Sequence, residues 1–529
     1  MVRESSTPPS ALERAAVRLA LDRALIWQLA GLAVLAFLFR LVPVLLAGGL
    51  KGMIDYDDGV YMGSALSLVR GRIVYRDFFM LHPPGIVYVL APFAALSWVV
   101  SDGTAFAAAR AGFMVLGAIN TFLVGALAAR FGRTAAFASA GLYAVWIVAV
   151  KVERSTWLIA PQNTLLLLAL LLLVPWSAGT PDRPITWRRA AAVGVLIGFC
   201  GVIQIWGIVT AGAIFAWLLL RTRRQPGGWF RPIAAYSLAG LATVAIAFLP
   251  FFIAAGDKFI RIVIFDQIGR GEGGVGIVAR VRAMEGLPHA IVRLGLGALP
   301  VVIFVVVVLA VVVVARRRPG VRLWAALYLV QAGFLLVTPS FFGHYAGWLA
   351  PAAALSIGMV ATSAIEWSAH RPRLARAIRG VYAAGLAGLL FATLFPFVVG
   401  LGSLSKHLPA AEIASTIQGA RCPTGDSPSV LIFTGALRRI LEDGCPLLVS
   451  PTGVSYDTDP GLSGKARTRP NQPEYQAVLQ AYFGTSDAAM FIRNPKNVGL
   501  SDATWAVIRA HLPVELHIGR VMILLPAGP

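Results

Sequence analysis

The chain has 529 residues, 57% of them hydrophobic and 13% charged, with a formal net charge of +21 and a mean hydropathy of +0.74. No soluble interior of that size hides so much apolar surface, and repeated apolar runs of roughly 18 to 25 residues define a polytopic helical membrane protein. The arginine surplus sits in short segments between those runs, which argues against a nucleic-acid partner and for cytoplasmic loops beside a lipid surface.

In chain order the apolar runs predict spans over 26–48, 105–129, 134–150, 158–176, 190–204, 207–220, 233–254, 290–314, 321–338, 346–365 and 380–402. Between them lie five basic clusters: Arg130 and Arg133; Arg183, Arg188 and Arg189; Arg221, Arg223, Arg224 and Arg231; Arg316, Arg317, Arg318 and Arg322; Arg371, Arg373, Arg376 and Arg379. With the N-terminus inside, about eleven crossings place every cluster in the cytoplasm. An outside N-terminus with twelve crossings is the alternative. The apolar stretch 84–100 reads as a helix that lies at the outer interface or re-enters, turned by Pro83 and Pro84. No small-x-small cleavage site follows the first span, which is therefore expected to stay in place. The expected organisation is a cytoplasmic segment 1–25, a transmembrane domain 26–402 with external loops 49–104 and 255–289, and an extracytoplasmic tail 403–529.

In the tail apolar density falls. Short β-like runs (Val430–Phe433, Leu447–Val449, Met490–Ile492, Val521–Leu525) alternate with helical patterns near 436–442, 474–484 and 501–511, which predicts a small α/β domain. Residues 451–473, rich in Gly, Pro, Ser and Thr, read as a loop within it. Cys200 lies in a span and packs there; Cys422 and Cys445 share the tail, where an external location permits a disulfide without requiring one. No spacing suggests a structural metal site.

The first loop holds the most informative stretch: Asp55-Tyr56-Asp57-Asp58-Gly59-Val60-Tyr61, then Tyr75-Arg76-Asp77-Phe78 and His82-Pro83-Pro84-Gly85. Carboxylates beside a bilayer are costly and usually functional. Asp55 can cap a helix that starts near Asp57 and runs to about Arg70. On it Asp58, Tyr61, Ala65 and Leu68 share a face, while Asp57 and Tyr61 share an edge. The residues alone allow two readings, capping and solvation or proton chemistry.

The pattern Asp57-Asp58-Gly59-x-Tyr61-x-x-x-Ala65, followed by Gly71, Tyr75, Asp77-Phe78 and His82-Pro83-Pro84, resembles the first external loop of GT-C type glycosyltransferases that use polyprenyl-phosphate sugars. These include the protein O-mannosyltransferases and the lipid A aminoarabinose transferases. The resemblance is strong over about 50–110, continues as hydropathy and loop order to about 400, and lapses in the tail. It implies a GT-C fold with Asp57 as the general base and Asp58 as the acidic residue beside it. It also implies His82 near a lipid phosphate, Arg110 at the start of the second span, and His344-Tyr345 before a late span. One departure stands out: many relatives carry a second acid near the fourth span, where this chain reads Ala160-Pro161-Gln162-Asn163, with Glu153 earlier.

Glycosyl transfer from a lipid phosphate needs a base for the acceptor proton and cations or donors for the departing phosphate. Asp57 and Asp58 are the catalytic candidates; His82, Arg110, Tyr61, His344, Tyr345 and Arg270 are the candidates for donor phosphate and substrate. Each has a plainer reading. Arg110 snorkels to the interface; Lys258, Arg261, Arg270, Arg280 and Arg282 contact anionic headgroups; His344-Tyr345 anchors a span end. The Gly-rich run 269–276 has no Walker Lys-Ser/Thr and reads as a flexible loop. Gln204 and Trp206 read as an interior turn. No metal ligands are assigned; a divalent cation is left open.

The expectation is an all-α polytopic membrane protein with a small C-terminal α/β domain, set in the inner (plasma) membrane with its site on the extracytoplasmic side. It would pass a sugar from a polyprenyl-phosphate donor to an envelope glycan, glycolipid or secreted protein, with membrane lipids as further partners and no nucleic acid. The alternatives are a transporter or lipid flippase, expected to show internal repeats or polar mid-membrane breaks, and a lipid-diphosphate-dependent glycan ligase.

Overall fold

The computed structural model describes residues 11–173, 184–223, 225, 228–269, 275–288, 294–398, 406–458, 468–492 and 498–527. Among the described residues ten α-helices form the first half: α1 (Ala11–Ala47), α2 (Tyr56–Val69), α3 (Gly85–Ala95), α4 (Asp102–Ala128), α5 (Arg133–Val145), α6 (Ile147–Val152), α7 (Ile159–Leu173), α8 (Trp187–Ile203), α9 (Gly207–Thr222) and α10 (Phe230–Ala255). Long helices Leu299–Arg317, Arg322–Val337, Ala350–Trp367 and Pro372–Val398 follow. Helix stands at every expected apolar run. Among the described residues seven helices are long and apolar enough to cross a membrane, while Ile159–Leu173 and Gly207–Thr222 are shorter apolar helices. The chain is therefore a multi-pass membrane protein, and the count of eleven crossings remains a proposal. The run 134–150 is not one continuous helix: Trp146 adopts an extended ψ of 120° between α5 and α6, and its indole Nε1 donates to Glu285 O at 2.8 Å.

The stretch after Pro84 forms α3 and one further turn to Trp98. At about 1.5 Å per residue this helix falls well short of a hydrocarbon core about 30 Å thick. Its first residue abuts another backbone, since a Cβ on Gly85 would lie 2.6 Å from Val202 O and from Ile203 N at the end of α8. The Pro-Pro-Gly sequence thus sets both the turn and the close approach.

Inside the bundle, Arg40 and Glu153 form a buried ion pair. Arg40 of α1 donates through Nε to Glu153 Oε2 at 2.9 Å. Asn120 Nδ2 and Tyr143 OH donate to Glu153 Oε1 at 2.8 and 2.7 Å. All four side chains are fully buried. Glu153, the acid nearest the family's second acidic position, is thus held inside a satisfied network that ties α1, α4 and α5 together.

The tail contains a four-stranded sheet in the order β1-β2-β4-β3, formed by Pro423–Gly425, Ala488–Phe491, Val521–Leu525 and Val514–Ile518. β1 runs parallel to β2, and the other pairs are antiparallel. Helices Ala436–Glu442, Pro473–Gly484 and Asp502–His511 stand where helical patterns are expected. Two expected strands do not form. Residues 430–433 belong to the helix Pro428–Phe433, begun by Pro428 at its first turn, and Leu447–Val449 is irregular. Cys422 and Cys445 form a disulfide.

One hydrophobic cluster runs without a break from the first loop into the tail, joining Tyr61, Leu66 and Val87 to Leu431, Ile432, Tyr475 and Ile523. The contact is backbone-close at Gly59, where a Cβ would lie 2.3 Å from Ser429 Oγ and 2.8 Å from Ser429 N. Arg438 of the tail donates to Asp102 Oδ1 at 2.7 Å, beside Arg70 at 2.8 Å. Gly59→Ala is expected to loosen this docking by about 1–3 kcal/mol through overpacking. Faster limited proteolysis of the tail checks it, and an unchanged digestion rate would refute the contact.

Candidate active site

The site is built on the first turn of α2. Asp55 has extended backbone and its Oδ1 accepts from Asp57 N at 3.1 Å, closing the helix start. The positive end of the helix dipole then lies beside Asp57 and Asp58. About 100° of rotation per residue separates their fates. Asp57 faces a cavity of about 310 Å³, together with Asp55, Tyr61, His82, His344 and Tyr345. Asp58 turns inward and is fully buried.

Asp58 is a structural anchor. Its Oδ2 accepts from Arg110 Nε at 3.0 Å and Nη2 at 2.6 Å, and from Ser155 Oγ at 2.7 Å. Arg110 Nη1 donates to Leu50 O and Gly52 O at 2.6 and 2.7 Å. The guanidinium is stacked over Phe106 at 4.1 Å and faces Phe433 of the tail at 5.2 Å. Sequence reading placed Asp58 among the catalytic groups and Arg110 at the phosphate. The structure instead commits them to each other, and neither lines the cavity. Arg270 lies outside the described residues.

Asp55 carries more than a cap. Burial and the negative charges of Asp57 and Asp58 push its carboxyl up to about 7, against the Asp57 amide and Lys151, which lower it. Unfolded, it would titrate near 3.8, so between about pH 4 and 7 the folded chain holds more protons. Stability from this group is greatest at low pH and declines as pH rises toward 7. Asp55→Asn keeps a capping oxygen and removes the charge. It should raise the unfolding midpoint at pH 8, with the gain fading below pH 4; a gain equal at both pH values would exclude the titration as its cause.

His82 is held from two sides. Tyr75 OH donates to His82 O at 2.6 Å. Gln267 Nε2 donates to Leu81 O at 2.7 Å and lies 3.4 Å from His82 Nδ1. The Gln267 amide thus faces the Nδ1 edge of the ring and helps to orient it. Tyr75 has a φ of +71°, an unusual conformation for a bulky residue. It is fixed by edge contacts to Phe251 and Phe259 at 5.6 and 5.0 Å and by the turn in which Tyr75 N donates to Phe78 O at 2.9 Å. Asp77 closes the same turn by accepting from Ile73 N at 2.6 Å. The Tyr-Arg-Asp-Phe sequence is thus the mount for His82.

Across the cavity, His344 packs on Trp157 at 4.3 Å and Tyr345 meets Trp206 edge-on at 4.3 Å. The tail supplies the remaining wall with Ser450, Thr452, Gly453, Tyr456 and Arg469. Thr452 N donates to Tyr56 OH at 3.2 Å, tying that wall to α2. Sequence reasoning missed Asp55 as a lining acid, Trp157, Tyr456 and Arg469. Residues 451–473 have no apolar periodicity, so nothing in their pattern points inward.

A second cavity, of about 720 Å³, is lined by apolar side chains such as Leu142, Phe304, Val307 and Leu386. Its one carboxylate among the described lining residues, Glu285, is pushed up to about 8 by burial. It is the larger space, but the polar chemistry lies in the smaller one. Among the described residues no group of three or more His, Cys, Asp or Glu side chains could hold a metal ion.

The helical bundle with its tail is similar to ArnT from Cupriavidus metallidurans bound to undecaprenyl phosphate. The TM-score is 0.56 at 13% identity, over 93% of this chain and 97% of that one. It is also similar to the archaeal oligosaccharyltransferase AglB from Archaeoglobus fulgidus in complex with an inhibitory peptide and a dolichol-phosphate. Here the TM-score is 0.51 at 12% identity, over 92% of this chain and 72% of that one. At such identities the likeness shows the fold. No curated protein matches the sequence. The fold is the one these two proteins have, and a family model matches part of the chain as well. The matching model is that of glycosyltransferase family 87, over residues 79–339.

Proposed function

We propose that the chain transfers a sugar from a polyprenyl-monophosphate donor to an acceptor hydroxyl on the extracytoplasmic side, with Asp57 as general base. The observation that carries this reading is the position of Asp57. It is a carboxylate at a helix N-terminus that opens on a cavity shared with two histidines and four tyrosines, at the end of an apolar bundle. In the step, the acceptor oxygen attacks the anomeric carbon and its proton passes to Asp57. The bond from that carbon to the phosphate oxygen breaks, and the phosphate leaves with the electron pair. His82 and the aromatic wall of Tyr61, His344 and Tyr345 orient donor and sugar. Attack opposite the phosphate would invert the anomeric centre.

The lipid phosphates bound by ArnT and AglB favour a polyprenyl carrier, and the disulfide Cys422–Cys445 favours a tail outside the reducing cytoplasm. The acceptor is proposed to be an envelope glycan, a glycolipid or a secreted protein. Right-side-out membrane vesicles given radiolabelled polyprenyl-phosphate sugars should transfer label when the donor is offered outside. Transfer confined to inverted vesicles would overturn the orientation, and none in either would overturn the reaction.

A further inference from the structure

The sequence nominated Arg110 to hold the leaving phosphate, but its guanidinium is neutralised by Asp58 inside the protein. The cavity still has to accept an anion while Asp55 and Asp57 line it. Among the described lining residues Arg469 is the one permanent cation, and it comes from the tail. It is not a surface arginine turned inward by chance. The residue is 8% exposed, and its Nε donates to buried Ser455 Oγ at 3.0 Å. Its carbonyl accepts from Gln476 Nε2 at 2.8 Å. Gly499 lies so close that a Cβ there would sit 2.5 Å from Arg469 Cβ. The tail is built around this stem, which fixes the guanidinium before any ligand arrives.

Resting on the donor reading above, we propose that Arg469 binds the phosphate of the polyprenyl carrier, so that the tail forms the donor subsite and not merely a platform for the acceptor. A fixed planar fork suits two phosphate oxygens better than a mobile ammonium does. Pre-set orientation avoids the ordering cost that a flexible side chain incurs on binding. A nearby cation also stabilises the charge that the phosphate gains as the glycosyl bond breaks. Asp55, with its carboxyl raised to about 7, reduces the negative load that the phosphate meets near neutral pH. The docking of the tail on α2 at Gly59 and on α4 at Asp102 brings Arg469 to the cavity that Asp57 also lines.

The test measures binding of undecaprenyl phosphate and of undecaprenol to the purified full chain in detergent. Wild type should prefer the phosphate. Arg469→Gln keeps a donor for Ser455 and lacks the charge; it should weaken undecaprenyl phosphate binding about 10- to 100-fold and leave undecaprenol unchanged. Arg469→Lys, which keeps the charge, should fall between and serves as the second variant if Gln disturbs the tail. Intact phosphate preference in Arg469→Gln, or in a folded Arg469→Lys and Arg469→Ala pair of equal affinity, overturns the assignment alone. A wild type without that preference overturns both the assignment and the donor reading beneath it.

Discussion

Asp57→Asn is expected to leave the protein folded and to reduce transfer by about a hundredfold or more. The change removes a proton acceptor and the negative charge that bears on Asp55, and keeps the shape of the side chain. Asp57 lies at the edge of the cavity and does not cap the helix, since that oxygen belongs to Asp55. Asn has the same shape and still lies at the positive end of α2. Its amide cannot accept the acceptor's proton, so kcat should fall while the apparent affinity for the polyprenyl-phosphate sugar changes little. Thermal unfolding in detergent should match wild type within a degree or two, which separates this variant from one that fails to fold. Transfer within about threefold of wild type would remove Asp57 from the proton step.

The sequence made the apolar helices legible because each keeps a long hydrophobic run between arginine loops, and length and charge do not depend on tertiary context. The break at Trp146 was not visible, because it depends on a hydrogen bond to Glu285, 139 residues away. Residues 430–433 show the opposite error. A β-branched apolar run suggested a strand, but Pro428 begins a helix there and Gly59 lets that helix press against α2. The edge strand Val514–Ile518 was missed because most of it is exposed, so it lacks a buried stripe. In the site, spacing put Asp57 and Tyr61 on one helix edge, while His82 was expected near them only from the family resemblance; all three line one cavity. What could not be read was direction. Adjacent Asp57 and Asp58 point to different surroundings, and Arg469 reaches the cavity only because the tail folds back.

The buried pair gives the largest expected effect on stability. Arg110 and Asp58 both have no solvent exposure, so removing either strands a charge or an acceptor set. Arg110→Met should destabilise by about 3–5 kcal/mol, because it leaves the buried Asp58 carboxyl without its cationic partner, with the Ser155 hydroxyl still donating to it. Asp58→Asn should cost less, as Arg110 retains Leu50 O and Gly52 O. If the two act as one unit, the double variant Asp58→Asn/Arg110→Met should be more stable than Arg110→Met alone, with a coupling of about 0.5–3 kcal/mol. Unfolding midpoints of the four proteins in detergent supply the cycle. The same set decides between two roles for Arg110. A phosphate ligand would leave stability near wild type, raise the donor KM, and show additive effects with Asp58→Asn. A positioning residue shows coupled stability losses, and any loss of transfer should follow the displacement of α2 and of Asp57 on it.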